Sequence, residues 1–275
     1  MSMIDTFVDV RVRIANFREL AHHVAALPEP FRPIHFSRGE RVRDKDASRI
    51  DDSGRFAAFV DQQVSRVSGF DLVGQRIRFT FFGGETRTAN HESTHIGCSV
   101  TLRGRQWSLA DFTLLLKLLC SAPGTERADA CRRAEWEHRH LYVKMLPPIS
   151  IQTTLGVDMS ASLPGLYWWT VFSDALAKRH DLDIGELTRF AAHHEWWATD
   201  DGGRLYAFRL YPSPDDWERE EARISEFLER HSNFFSLTRI AERVENTQTK
   251  EEFDQFVRRY RAGALPWERR VPESL

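Results

Sequence analysis

The sequence predicts an α+β fold of antiparallel sheets flanked by helices. Three observations carry this. Short runs of alternating apolar and polar residues recur along the chain, as half-buried strands require. Segments with helical apolar spacing lie between them. The order strand–helix–strand–strand–helix occurs twice, which predicts two halves, residues 1–125 and 126–275, with a further helix at the C-terminal end.

Phe7, Val8, Val10, Val12 and Ile14 alternate with charged residues and predict the first strand. Phe17 to Leu27 reads as a helix stopped by Pro28. Pro28 to Ser53, rich in Pro, Arg and Asp and without periodicity, reads as an exposed loop. Phe56, Phe59, Val60, Val64 and Val67 fall on one helical face. Ile77, Phe79 and Phe81, then Ile96, Cys98, Val100 and Leu102, predict two strands joined by the polar stretch Gly83 to His95. Ser108 with Asp111 three residues on predicts a helix start. That helix, through Leu119, is apolar on nearly every side and predicts a buried element.

Ser121 to Thr125 and the charged run Glu126 to His140 read as the joint between halves. Leu141 to Thr153 is strand-like, broken by Pro147 and Pro148. Pro164 suits the first turn of a helix to His180. Phe190–Ala198 and Leu205–Tyr211 flank Asp200-Asp201-Gly202-Gly203, the signature of a hairpin. Ser213, Pro214, Asp215 and Asp216 open a helix to Arg230 whose apolar face is Trp217, Ile224, Phe227 and Leu228. A capping box at Thr249 and Glu252 starts the last helix.

Composition narrows the function. In 275 residues, Lys+Arg (38) and Asp+Glu (40) nearly cancel, so the field that nonspecific nucleic-acid binding needs is missing, and nucleic acid is an unlikely partner. Three cysteines without a CxxC pair argue against a disulfide framework or a four-cysteine zinc site. The most apolar run, Phe112 to Cys120, is short and contains Lys117. It is far below the roughly 20 residues a membrane span takes. These features predict a cytoplasmic protein without cofactor or membrane partner.

His91-Glu92-Ser93-Thr94-His95 matches the H-E-x-x-H pattern of zinc hydrolases. In that chemistry one helical turn brings His91 and His95 to the metal and Glu92 acts as base. The surrounding Gly, Thr and Asn residues and the strand-like alternation argue against a helix. No G-x-S-x-G elbow, Walker loop or G-x-G-x-x-G is present. The remaining candidate is a partner-binding surface near the hairpin. Asp200 and Asp201 in its turn, and Asp215 and Asp216 at the next helix start, would form an acidic patch beside Trp197 and the neighbouring Tyr167, Trp168 and Trp196. Such a patch suits a basic partner protein.

Leu163-Pro164-Gly165-Leu166-Tyr167-Trp168-Trp169, followed by Leu210-Tyr211-Pro212-Ser213-Pro214-Asp215-Asp216-Trp217, resembles the pattern of immunity proteins of bacterial type VI secretion and polymorphic-toxin systems. There a Pro-Gly-aromatic helix precedes a β-hairpin and a second helix. The resemblance spans about Leu163 to Phe235. It implies a non-enzymatic cytoplasmic protein that binds and neutralises a cognate toxin, with no shared catalytic residues.

Overall fold

A computed structural model describes residues 6–38, 48–66, 69–88, 91–102, 107–139, 142–145, 151–154, 165–231 and 251. The capping box at Thr249 and Glu252, and Pro164, lie outside them.

The first strand, β1 (Thr6–Val12), leads through a short 3-10 turn into α1 (Phe17–Ala25). Then follow β2 (His35–Ser37), β3 (Ser48–Arg49), α2 (Ser53–Arg66), β4 (Phe70–Val73), β5 (Ile77–Thr88), β6 (His91–Leu102) and α3 (Leu109–Cys120). Next come β7 (Thr125–Arg132), α4 (Arg133–Arg139), and the hairpin of β8 (Tyr142–Met145) and β9 (Ile151–Thr154). The chain continues with β10 (Trp169–Ser173), α5 (Asp174–Arg179), α6 (Ile184–Phe190), β11 (His193–Ala198), β12 (Arg204–Arg209) and α7 (Trp217–Arg230).

The fold is α+β, and strands from both sequence halves enter one ten-stranded sheet in the order β11-β12-β10-β7-β1-β6-β5-β4-β2-β3. Glu126 to Arg132, read as part of a joint, is therefore interior strand, because β7 pairs with β1 on one side and β10 on the other. Compact contacts group Met1–Gly84, Thr94–Arg132 and Tyr167–Pro214 into one unit, and Glu85–Ser93, Arg133–Leu166 and Asp215–Leu275 into another. In the second unit α7 buries Ile224 and Phe227, and pairs Arg219 with Asp216 and Arg223 with Glu220 along its surface.

In the first unit one face of the sheet is apolar, and the other mixes polar and charged residues with the buried rings of Phe172 and Phe208. Val8, Val10 and Val12 share a face with Cys98, Val100, Ala128, Ala130 and Val171. α1 and α3 bring Phe17, Leu20, Val24, Leu115, Leu116 and Leu119 to the same core, and Phe17 meets the stacked rings of Phe70 and Phe81. α3 begins with the predicted cap: Ser108 and Asp111 exchange both capping-box hydrogen bonds. It is less buried than its composition suggested, since Leu109 and Leu114 are exposed. Within Pro28–Ser53, the described residues are not the exposed loop that composition suggested. They supply β2 and β3, and Phe31 and Phe36 are buried.

The segment after Gly165 departs from the predicted helix. Trp169–Ser173 is a strand with every residue buried, and the helix proper is the short α5. A strand covered on both faces shows no alternation, and so reads like a buried helix.

Candidate functional site: the edge hairpin

β11 and β12 pair in unbroken register from His193↔Arg209 to Ala198↔Arg204. The turn between them closes by hydrogen bonds from Thr199 N–H to Gly203 O (2.9 Å) and from Gly202 N–H to Thr199 O (2.9 Å). Gly202 takes a φ of 83°, which glycine adopts without a Cβ penalty.

Two of the predicted partner-binding acids occupy this turn, and both have internal partners. Asp200 lies 3.3 Å from His23 Nδ1, and its N–H donates to Ser121 O at 2.7 Å. Asp201 lies 3.6 Å from Arg13. The Thr199 hydroxyl donates to Asp201 and, against some burial, holds its carboxyl below the ordinary range. These contacts tie the hairpin tip to neighbouring elements of the same unit, while the Asp200 side chain stays 58% exposed. Asp215 and Asp216 belong to the other compact unit, at the start of α7.

His23 also faces Ser121, with Nε2 3.4 Å from its hydroxyl. Ser121, His23 and Asp200 thus stand in the sequence of an acyl-transfer triad. The hydrogen bonds define a different role. His23 Nε2 lies 2.6 Å from Leu118 O, an acceptor that requires Nε2 to be the donor, and Ser121 Oγ donates to the same carbonyl at 3.0 Å. A nitrogen that donates cannot accept the serine proton. The group is a clamp joining α1, the end of α3 and the hairpin tip.

Trp197 is not the surface anchor that the sequence predicted. It is 4% exposed, whereas Trp196, one residue earlier and on the opposite face of β11, is 49% exposed. The Trp197 indole packs 5.6 Å from that of Trp169, and its N–H donates to Glu195 at 2.8 Å. Glu195 takes a second hydrogen bond at its other oxygen from His193, at 3.0 Å, and Lys117 approaches to 3.8 Å. The Trp197 and His193 bonds hold the Glu195 carboxyl below the ordinary range, opposed by partial burial. Tyr167 and Trp168 are buried as well, Trp168 donating to Tyr211 O at 3.1 Å.

The accessible aromatic is therefore Trp196, and its neighbours are cationic. The Arg204 guanidinium lies over the Trp196 ring, 3.7 Å from its centroid, and Tyr206 meets the same indole at 4.5 Å. The Tyr206 hydroxyl donates to Asp174 at 2.7 Å, and Lys178 reaches that carboxylate at 2.7 Å. Asp174 is thereby occupied, and its carboxyl is held below the ordinary range by Lys178 first and Tyr206 second.

A buried charge cluster lies on this same polar face at the sheet centre. Register places Asp9 opposite Asp129, and Arg11 opposite Arg127. Each acid is tied along its own strand: Arg127 makes two bonds to Asp129, at 2.7 and 2.9 Å, and Arg11 one to Asp9 at 3.0 Å. Burial pushes the Asp129 carboxyl up and Asp9 adds to the push, against the opposing pull of Arg127. Nothing in the sequence pattern marked these four residues, because only pairing over more than a hundred residues brings them together.

His91–His95 begins β6. On a strand, residues four apart are separated by about 13 Å along the chain, so the spacing that lets one helical turn grip a zinc ion is absent. Among the described residues no group of three or more His, Cys, Asp or Glu is arranged to hold a metal ion. Cys98, Cys120 and Cys131 are buried and form no disulfide, and burial foremost pushes the Cys98 and Cys120 thiols up, away from the reactive thiolate. Among the described residues no helix is long and apolar enough to cross a membrane.

No protein-family model matches the chain, and no curated protein matches it. Among solved structures, a Pseudomonas aeruginosa T6SS protein is similar to it at 10% identity, over 98% of this chain and 92% of that one, with a TM-score of 0.46.

Proposed function

We propose that this chain is an immunity protein that binds a cognate bacterial toxin in the cytoplasm and neutralises it without turnover of its own. The observation that carries the reading is an accessible indole, Trp196, on the outermost strand of the sheet, backed by Arg204 and Tyr206. Tryptophan, arginine and tyrosine are the residues in which binding energy concentrates at protein interfaces. The sequence resemblance over Leu163–Phe235 supports the same reading through its hairpin and following helix, both of which form, although its Pro-Gly-aromatic segment runs into a strand.

Co-expression with the product of the adjacent gene tests the proposal. The expected result is a complex that survives purification and rescue of growth from that product's toxicity. Failure of both complex formation and rescue refutes it.

A further inference from the structure

We infer that β11 is a docking edge for an extended, acidic segment of the partner protein, which adds to the sheet as a strand and sets a carboxylate against Arg204. The inference rests on the protein-binding reading above and reverses the charge that the sequence predicted for the partner.

The two ends of the sheet differ. At one end β3 is two residues long, too short to template another strand. At the other end β11 is six residues long, pairs with β12 without a bulge, and contains neither Pro nor Lys. Short length, bulges, Pro and Lys are the means by which edge strands are kept from pairing. Among the described residues β11 is outermost, so alternate residues leave both N–H and C=O groups unpaired by the sheet. A peptide backbone supplies both kinds of partner. A nucleic-acid backbone supplies phosphate acceptors and does not match that alternation.

Charge fixes the class of segment. Arg204 is exposed and stacked on Trp196, and has no hydrogen bond or ion pair with another described residue. A guanidinium lying on a ring keeps its in-plane N–H donors at the edge, in the fork that a carboxylate fits. Asp174 is hydrogen-bonded by Tyr206 and Lys178 and also feels the Arg204 charge. Arg204 and Lys178 thus share one carboxylate, which leaves an excess positive charge on the face that carries Trp196, and an Asp or Glu on the added strand balances it.

The test uses the full chain and the indole N–H resonance of Trp196, assigned with W196F. The probes are three ten-residue peptides, alternating Thr with Glu, Gln or Lys, and an oligothymidylate. The Thr–Glu peptide is expected to shift the Trp196 resonance saturably, more weakly at high salt, and at least about tenfold more weakly in R204Q. Equal binding of the Thr–Gln peptide, an unchanged affinity in R204Q, a response to oligothymidylate but not to the acidic peptide, or no response to any probe each overturns the inference. A toxicity assay separates this failure from failure of the parent reading. If wild type protects and W196A/R204E protects equally, the docking edge is wrong and the immunity reading stands. If wild type neither protects nor forms the complex, the immunity reading falls whatever the peptides show.

Discussion

At the residue scale, two adjacent tryptophans on one strand have opposite fates, because successive side chains of a strand point to opposite faces. Trp197→Ala is expected to lower unfolding free energy by about 3–5 kcal/mol, the cost of emptying a large buried site. Trp196→Ala is expected to cost less, about 1–2 kcal/mol, from the lost contacts with Arg204 and Tyr206. Urea unfolding of the two variants measures the contrast. Glu195 adds a pH signature. Its carboxyl is held below the ordinary range in the folded chain by Trp197 and His193. Its stabilisation is therefore fully present above the unfolded carboxyl value, about 4.3, and is lost as pH falls through the lower folded value. Glu195→Gln should melt below wild type at pH 7, and the two melting curves should converge on acidification toward pH 3. Partial exposure lets salt shrink the gap, so the comparison belongs at low ionic strength. None of this was legible in the sequence, where Trp196 and Trp197 are interchangeable; the pairing register decides between them.

At the element scale, the sequence was legible where alternation or a cap marks the chain. The alternation in β1, Ile77–Phe81 and Ile96–Leu102 and the signals at the start of α3 and the β11–β12 turn were read correctly, whereas most of Gly83–His95, read as a joining stretch, extends β5 to Thr88 and opens β6 at His91. Ser108→Ala, which removes the cap of α3, is expected to cost about 1 kcal/mol by thermal or urea unfolding. β10 was misread for the opposite reason. Leu-Tyr-Trp-Trp-Thr-Val-Phe is buried on both faces, so no period distinguishes strand from helix. The residue types of the H-E-x-x-H match suit zinc chemistry, but its flanks alternate as strands do, and the segment is strand.

At the scale of the whole molecule, the sheet joins residues that no local pattern connects. The Asp9, Arg11, Arg127 and Asp129 cluster is the clearest case. Its members sit on β1 and β7, with Arg127 and Asp129 both buried. Removing the acid strips the buried Arg127 of two charge-assisted hydrogen bonds, so Asp129→Ala is expected to cost about 3–5 kcal/mol. Replacing both partners with apolar residues of similar volume, as in R127M/D129L, should recover most of that loss. Denaturant unfolding of the single and double variants checks it, and a double variant as unstable as D129A would show that the pair has a role beyond mutual compensation. The two-halves reading missed this arrangement because sequence order alone does not reveal which strands become neighbours.

The central position of β7 also governs how the molecule comes into being. Its first neighbour, β1, precedes it by more than a hundred residues, and its second, β10, ends at Ser173. A nascent chain that has just cleared β1 from the ribosome has no strand to pair with it until β6 (His91–Leu102) emerges, and the other edge of β1 stays open until Thr125–Arg132 follows. Closure of the sheet is thus a late, non-local event, which makes for slow folding and a long window in which chaperones have a substrate.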